Sequence, residues 1–541
     1  MPRILIHFAA MAGLSLPAAA QRVPAMTDSL DVIIAGARIV DGSGQPGYFG
    51  DVGVQNGWIT VVAKPGALGT RPTRLRVRAA GLVLAPGFID VHSHTVDAII
   101  GAERRWNEGA VRQGVTTVLG GPDGGYAPDM MKRVVTALAT QGAGTNVALY
   151  VGHNAVRRAV MSNPQRPPTA DELDRMKAMV KEGMELGAVG LSSGLMYEPG
   201  MFSTTEEVVE LARVVAPYRG VYDSHVRDPV KRFLWSDQEC IEIGERAGVA
   251  PKIGHEKAVG LENEGKIQEV IKMVNAARLR GVDAVSDQYP YDGAATSALT
   301  GIIVLPKELR GQAGFDLKAA LKDPATRAKI KEASENGVDG GFAWLKATGY
   351  TAMRVTTSSE RPALVGRYLS EIATREKKDR FDAVADLIMA STKPVGITLG
   401  AIKEKDLRDL LVQPWNMIAS DGGYADGKSD QMGHPRSTGT FPRVLGHYVR
   451  ETKVLTLEEA VRKMTSLPAD FSGLRDRGRI AEGQAADLVI FDPRTIIDRS
   501  TWDEPAKMPV GVRDVFVNGQ AVLMNGELTG KSPGRYLRAR R

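Results

Sequence analysis

The stretch APGFIDVHSHTVDA, residues 85–98, decides how the fold is read. Phe88, Ile89 and Val91 make a short apolar run of buried-strand character, and it runs into two histidines one residue apart. Residues i and i+2 of a strand point to one face. His92 and His94 therefore stand side by side, next to Asp90. Two imidazoles on one face are half of a metal site, and the rest of the chain must supply the other half.

Downstream the same pattern recurs. Apolar stretches that end in polar residues alternate with amphipathic segments such as ADELDRMKAMVKEGMEL. The strand candidates are PGFIDVHSH, GVTTVLGGPDG, NVALYVGH, AVGLSSG, GVYDSHVRD, PKIGHEK, VDAVSDQYPY and NMIASDG. Strands alternating with helices imply parallel pairing through helical crossovers. Eight of them predict an α/β fold built on a (β/α)8 TIM-like barrel.

Both ends of the chain have another texture. DVIIAGARIVDGSG and GDVGVQNGWITVVA near the start, and GRIAEGQAADLVIFDP and VRDVFVNGQAVLMNGEL near the end, are short, β-rich and punctuated by Gly and Asn-Gly. They predict a small β-sandwich domain formed by both termini, residues 28–86 and 471–541, around a barrel over 87–470. More than a hundred residues separate the seventh and eighth strand candidates, and a loop of that length carries its own structure. An insertion is expected at about 292–350. The helical stretch RPALVGRYLSEIATREKKDRFDAVADLIMAST is read partly as the helix before the last strand.

Charge and composition bound the partners. The net charge of +6 comes partly from the terminal RYLRARR, and no basic stripe is interleaved with aromatics, so no nucleic-acid partner is expected. MPRILIHFAAMAGLSLPAAAQ has a basic start, an apolar run and a small-residue cleavage site, which predicts a signal peptide over 1–20 and a periplasmic or secreted protein. That run is too short to span a membrane, and no later segment is long enough. The one cysteine, Cys240, sits in a helical pattern as a core residue and forms no internal disulfide.

Five of the eight histidines fall at strand ends: His92, His94, His153, His225 and His255. In this type of barrel those ends converge on one rim, where active sites lie. Imidazole plus carboxylate suits Zn2+, in one or two ions, and less specifically Mn2+, Co2+ or Fe2+. His92 and His94 can hold one ion, and His225 and His255 a second ~3.5–4 Å away, with Asp123 between them. In GGPDGG, however, Asp123 also reads as a turn residue. Asp421, after the apolar MIAS, is the candidate base, and its other reading is a cap or turn before two glycines. Beside a water whose pKa a metal lowers to ~7, a carboxylate can take the proton as the metal-bound hydroxide attacks and pass it to a leaving amine. Lys257, Tyr289 and Tyr291 either meet a substrate carboxylate or cap the rim and pack under the insertion.

APGFIDVHSH with AEGQAADLVIFDP resembles the metal-dependent amidohydrolase superfamily. GAVGLSSGLMYEPG, VYDSHVRD, KIGHEKAVG, DQYPY and the run from SDGGYADGKSD to HYVRE resemble its N-acyl-D-amino-acid deacylase (D-aminoacylase) branch, from about residue 30 to about 535. The resemblance implies a hydrolase of linear amides, carbon–nitrogen bonds other than peptide bonds, acting on a small-molecule N-acyl amino acid. It implies zinc on His92, His94, His225 and His255, with Asp421 as base. It also implies substrate contacts from Lys257, a strand-seven tyrosine and His153, which stands in a family motif beside Arg157 and Arg158. The turn departs from the branch: many members carry a cysteine ligand there, and Asp123 puts a hard carboxylate in place of a soft thiolate. Pocket shape sets substrate choice. The same chemistry on a dipeptide, a cyclic amide or an ester therefore stays open, as does a non-catalytic binding protein of this fold.

Overall fold

The computed structural model describes residues 29–310, 314–338, 343–400, 402–428 and 433–539. The expected leader lies outside them. Eight parallel strands form the central sheet: β1 (Phe88–Asp90), β2 (Val115–Gly120), β3 (Asn146–Gly152), β4 (Gly190–Gly194), β5 (Val221–His225), β6 (Ala250–Ile253), β7 (Val285–Gln288) and β8 (Asn416–Ile418), hydrogen-bonded in that order. They are short and almost wholly buried on both faces, as parallel strands sheathed by helices must be. The seam between β1 and β8 is closed just past the strand ends. Asp421 N donates to His92 O at 2.9 Å and His94 N to Gly422 O at 2.9 Å.

One crossover shows how the sequence builds the sheath. Helix Ala170–Glu185 starts at Thr169, whose hydroxyl accepts from Glu172 N at 3.2 Å, while the Glu172 carboxylate accepts from Thr169 N at 2.8 Å. This reciprocal cap satisfies two end donors, and Thr169→Ala would cost ~1 kcal/mol. Met176, Val180 and Met184, spaced by four, face the barrel and are buried. Each contributes ~1.5–3 kcal/mol by leaving water. Cys240 is buried on helix Phe233–Ala247 as a free thiol.

The two chain ends join in one nine-stranded sheet, where Val83–Pro86 pairs antiparallel with Leu488–Phe491. Ile34, Val52 and Ile59 from one end and Leu488, Ile490 and Phe516 from the other share a single apolar cluster. The expected sandwich is thus made by one continuous sheet around that cluster.

Between β7 and β8 lies a separate three-stranded antiparallel sheet, with Gly396–Thr398 in the middle and Thr296–Ala298 and Val355–Thr357 beside it. Its own core includes Leu299, Ile330, Phe381, Val384 and Ile397. The unit therefore runs well past residue 350, where the sequence reading ended it. Helices Leu369–Glu376 and Arg380–Ala390 belong to this core. The helix that precedes β8 is Glu404–Leu411. An amphipathic period shows that a helix has an apolar face and leaves open what covers it. Among the described residues no helix is long and apolar enough to cross a membrane.

Candidate metal centre and active site

The rim at the C-terminal strand ends gathers the polar residues. His92 and His94 follow β1, Asp123 sits in the turn after β2, His225 closes β5, His255 follows β6 and Asp421 follows β8. Asp123, His255 and Asp421 all hold left-handed backbone, with φ of 56°, 39° and 48°. Such non-glycine conformations cost of order 1–3 kcal/mol and cluster at functional sites. Here neighbours enforce them. Asp287 Oδ1 accepts from His255 N at 2.5 Å, and the seam bond to His92 O holds Asp421. Ser192 Oγ accepts from Gly124 N at 3.1 Å and steadies the Asp123 turn.

Asp123 faces all four histidines. Its Oδ1 lies 3.4 Å from His92 Nε2, 3.7 Å from His225 Nδ1 and 3.7 Å from His255 Nε2, and its Oδ2 lies 3.7 Å from His94 Nε2. The aspartate is in the turn and points into the cluster, so the two readings of it are compatible. Asp421 Oδ1 lies 3.1 Å from His94 Nε2 and 3.6 Å from His92 Nε2. Among the described residues three sets of donors converge closely enough for an ion: His92, His94 and Asp421; His92, Asp123 and His255; and, below the rim, His92, Asp223 and Asp287, whose two carboxylates are already paired with Lys252. His92 Nε2, Asp123 Oδ1 and His225 Nε2 are buried without a hydrogen bond. Buried polar atoms left unpaired are costly, and a divalent cation among imidazoles and carboxylates would satisfy them, so this donor set fits zinc or a similar ion.

Electrostatics prepare the same groups. Burial alone would raise the Asp421 carboxyl, yet Arg436, with Nη1 at 2.6 Å, and the nearby histidines outweigh it and hold Asp421 well below the usual carboxylate range. Burial, then His255, pushes His225 well below the ordinary histidine value and keeps its ring neutral, the form that binds metal. Burial lowers Lys257 to about 8.

A cationic side flanks the cluster. Lys257 Nζ lies 5.3 Å from the Tyr289 ring centre and the Arg436 guanidinium 4.6 Å from it, and both cations are close to Asp421. Lys257 Nζ is itself 2.8 Å from His255 Nδ1 and donates to the His255 carbonyl, and two other expected substrate contacts also have partners of their own. Tyr291, beyond Pro290, donates to Asp498 Oδ2 at 2.9 Å. His153 opens helix His153–Val160, is fully buried and pairs through Nε2 with Glu207 Oε1 at 2.9 Å.

Sequence reading assigned no role to Arg436, Tyr197 or His434. Tyr197 Oη lies 3.2 Å from His225 Nδ1. His434 packs against Tyr289, Tyr291 and Trp502. Arg436 and His434 stand in GHPRSTG and Tyr197 in LMYEPG. The signal was therefore present as motif, without a strand end to give it a position.

The Amidohydrolase family is matched over residues 406–523. The chain is 33% identical over 529 residues to a D-aminoacylase of Alcaligenes xylosoxydans xylosoxydans, covering 94% of this chain and 97% of the relative. It is 34% identical over 534 residues to an N-acyl-D-glutamate deacylase of the same organism, covering 95% and 97%. Among solved structures, an N-acyl-D-glutamate deacylase from Bordetella bronchiseptica, complexed with zinc and a phosphonate mimic of the tetrahedral intermediate, superposes with a TM-score of 0.76 at 33% identity over 94% of this chain and all of that one. Near-complete coverage at this identity, on a barrel whose strand ends gather imidazoles and carboxylates, places the protein: the chain belongs to the D-aminoacylase family of metal-dependent amidohydrolases.

Proposed function

We propose that the protein is a zinc-dependent deacylase of N-acyl-D-amino acids, releasing a carboxylate and the free amino acid. The observation that carries the reading is the pairing of Asp421 with both His94 and Arg436, inside a ring of imidazoles and beside Lys257. Zinc bound there supplies a Lewis acid, which polarises the amide carbonyl and makes a water nucleophilic near neutral pH. Asp421 accepts the proton that the attacking water gives up and returns it to the amine as the carbon–nitrogen bond breaks. Arg436 keeps that carboxylate ionised between turnovers. Lys257, with Arg436 behind it, supplies the positive charge that draws in the substrate carboxylate.

A panel of N-acetyl D- and L-amino acids, dipeptides, hydantoin-type cyclic amides and esters, presented to the purified zinc-loaded enzyme, tests this. Hydrolysis of the D-amides, abolished by a chelator and restored by zinc, is the expected result. Turnover confined to L-amides, cyclic amides or esters would reject it.

For the compartment we propose export, to the periplasm or beyond, with the mature chain starting near Gln21. The basic, apolar and alanine-rich order of residues 1–20 supports this. N-terminal sequencing of material from the extracytoplasmic fraction is the check, and recovery of Met1 there would count against it.

A further inference from the structure

Below the rim, the barrel interior holds three charges where branched apolar side chains usually fill such barrels. Asp223 on β5, Lys252 on β6 and Asp287 on β7 are each wholly buried. Asp223 and Lys252 are register partners, with Oδ1 and Nζ 3.0 Å apart. Lys252 also pairs with Asp287 Oδ2 and reaches the carbonyl of Val91, just before His92, at 3.4 Å. Burying such a network is a poor source of stability, since desolvation offsets the attraction and apolar replacements are often neutral or better. One lysine thus stands between two carboxylates beneath the metal centre.

Each carboxylate faces a different histidine of the rim. Asp223 Oδ2 lies 3.8 Å from His92 Nδ1, and both atoms are buried without a hydrogen bond. A shift of under about an ångström would make them a donor–acceptor pair. Asp287 Oδ1 accepts the backbone N–H of His255 and so fixes that residue in its left-handed conformation. Gly254 clears the space between them. A Cβ there would lie 3.1 Å from Asp223 Oδ1 and 3.4 Å from His92 Cε1. Lys252 is held charged: burial opposes the charge, but Asp223 and Asp287 outweigh it.

We infer that Asp223, Lys252 and Asp287 form one positioning unit for the metal centre. Asp223 accepts a hydrogen bond from His92 Nδ1–H and so leaves the Nε2 lone pair facing the place where an ion shared with Asp123 would sit. Asp287 sets His255, and Lys252 locks the two carboxylates to each other and to the backbone just past β1 at Val91. Carboxylates that orient ligand histidines in this way change metal affinity 10–100-fold when removed. The inference rests on the metal centre proposed above and is independent of which amide is cleaved.

The test measures zinc affinity, by competition with a chromophoric chelator, alongside the unfolding midpoint of the metal-free protein. Asp223→Asn keeps the side chain's shape and removes the charge that faces His92. It should bind zinc about 10–100-fold more weakly while the metal-free midpoint stays near wild type. Gly254→Ala leaves every charge in place and presses on Asp223 Oδ1 and the Ser224 carbonyl, each 3.1 Å from the new Cβ, so its zinc affinity should also fall. If the asparagine variant does not fold, the alanine variant decides. Zinc affinity equal to wild type in either folded variant overturns the inference. Wild-type protein that binds no zinc overturns the metal reading itself, and this inference with it.

Discussion

His94 Nε2 and Asp421 Oδ1 are 3.1 Å apart in space and 327 positions apart in the chain. They flank the seam at which the first and last barrel strands meet, and the backbone bonds of that seam come from His92, His94, Asp421 and Gly422. The centre is therefore complete only when the barrel closes, and closure uses main-chain atoms that side-chain substitution leaves intact.

Asp421→Asn exploits that separation. Asparagine keeps the seam bonds and can still accept from Arg436, but it cannot take a proton from water. Turnover should fall by at least ~10²-fold, the usual contribution of a positioned general base, while the unfolding midpoint stays close to wild type. Near-normal kcat would remove Asp421 from the role of base.

Asp123 offers both oxygens to the histidine cluster, so its loss should be felt in metal content. Asp123→Ala should lose at least one bound ion by elemental analysis, together with most activity. Asp123→Cys puts a thiolate in the same turn and should retain zinc, since zinc accepts sulfur and nitrogen donors alike. Full metal content in the alanine variant would leave Asp123 as a turn residue only.

Lys257 gives the reaction a pH signature. Burial lowers it to about 8, so its charge is present below that pH and fades as pH rises through it. If the charge draws in the substrate carboxylate, kcat/KM, which reports the free enzyme, should fall on the alkaline side near pH 8. Lys257→Met should lower kcat/KM at neutral pH and remove that alkaline limb. A wild-type profile flat from pH 7 to 10 would dismiss the role.

The barrel and most of its rim were legible because each depends on local pattern. A buried parallel strand announces itself as an apolar run, and a polar residue at its end has few places to go. His92, Asp123, His225 and Asp421 could be placed in this way. The insertion could not be bounded, because Phe381 and Val384 look the same whether they face the barrel or a second core. Arg436 escaped because it reaches Asp421 from helix Arg436–Arg443 rather than from a strand end. Asp223, Lys252 and Asp287 escaped because a charged residue inside a strand pattern reads as facing solvent until the closed barrel shows that there is none.

His153 is where sequence and structure pull furthest apart, and a stability measurement separates them. Its Nε2 pairs with Glu207, which also binds the wholly buried Arg157, and Arg157 Nη2 in turn holds the carbonyl of Pro164 at 3.0 Å. Burial would raise Glu207, but His153 and Arg157 outweigh it and lower it. A carboxylate with a depressed folded-state pKa adds stability above its unfolded pKa of ~4.3, and that stability is lost as pH falls through the folded value. Glu207→Ala strands the Arg157 charge in the interior and should cost ~3–5 kcal/mol, read from denaturant unfolding. Its deficit against wild type should shrink in acid, where the wild-type carboxylate is itself being protonated. His153→Gln should shift the unfolding midpoint and leave KM and kcat unchanged, because the ring is committed to Glu207. A raised KM with an unaltered midpoint would instead place His153 against the substrate.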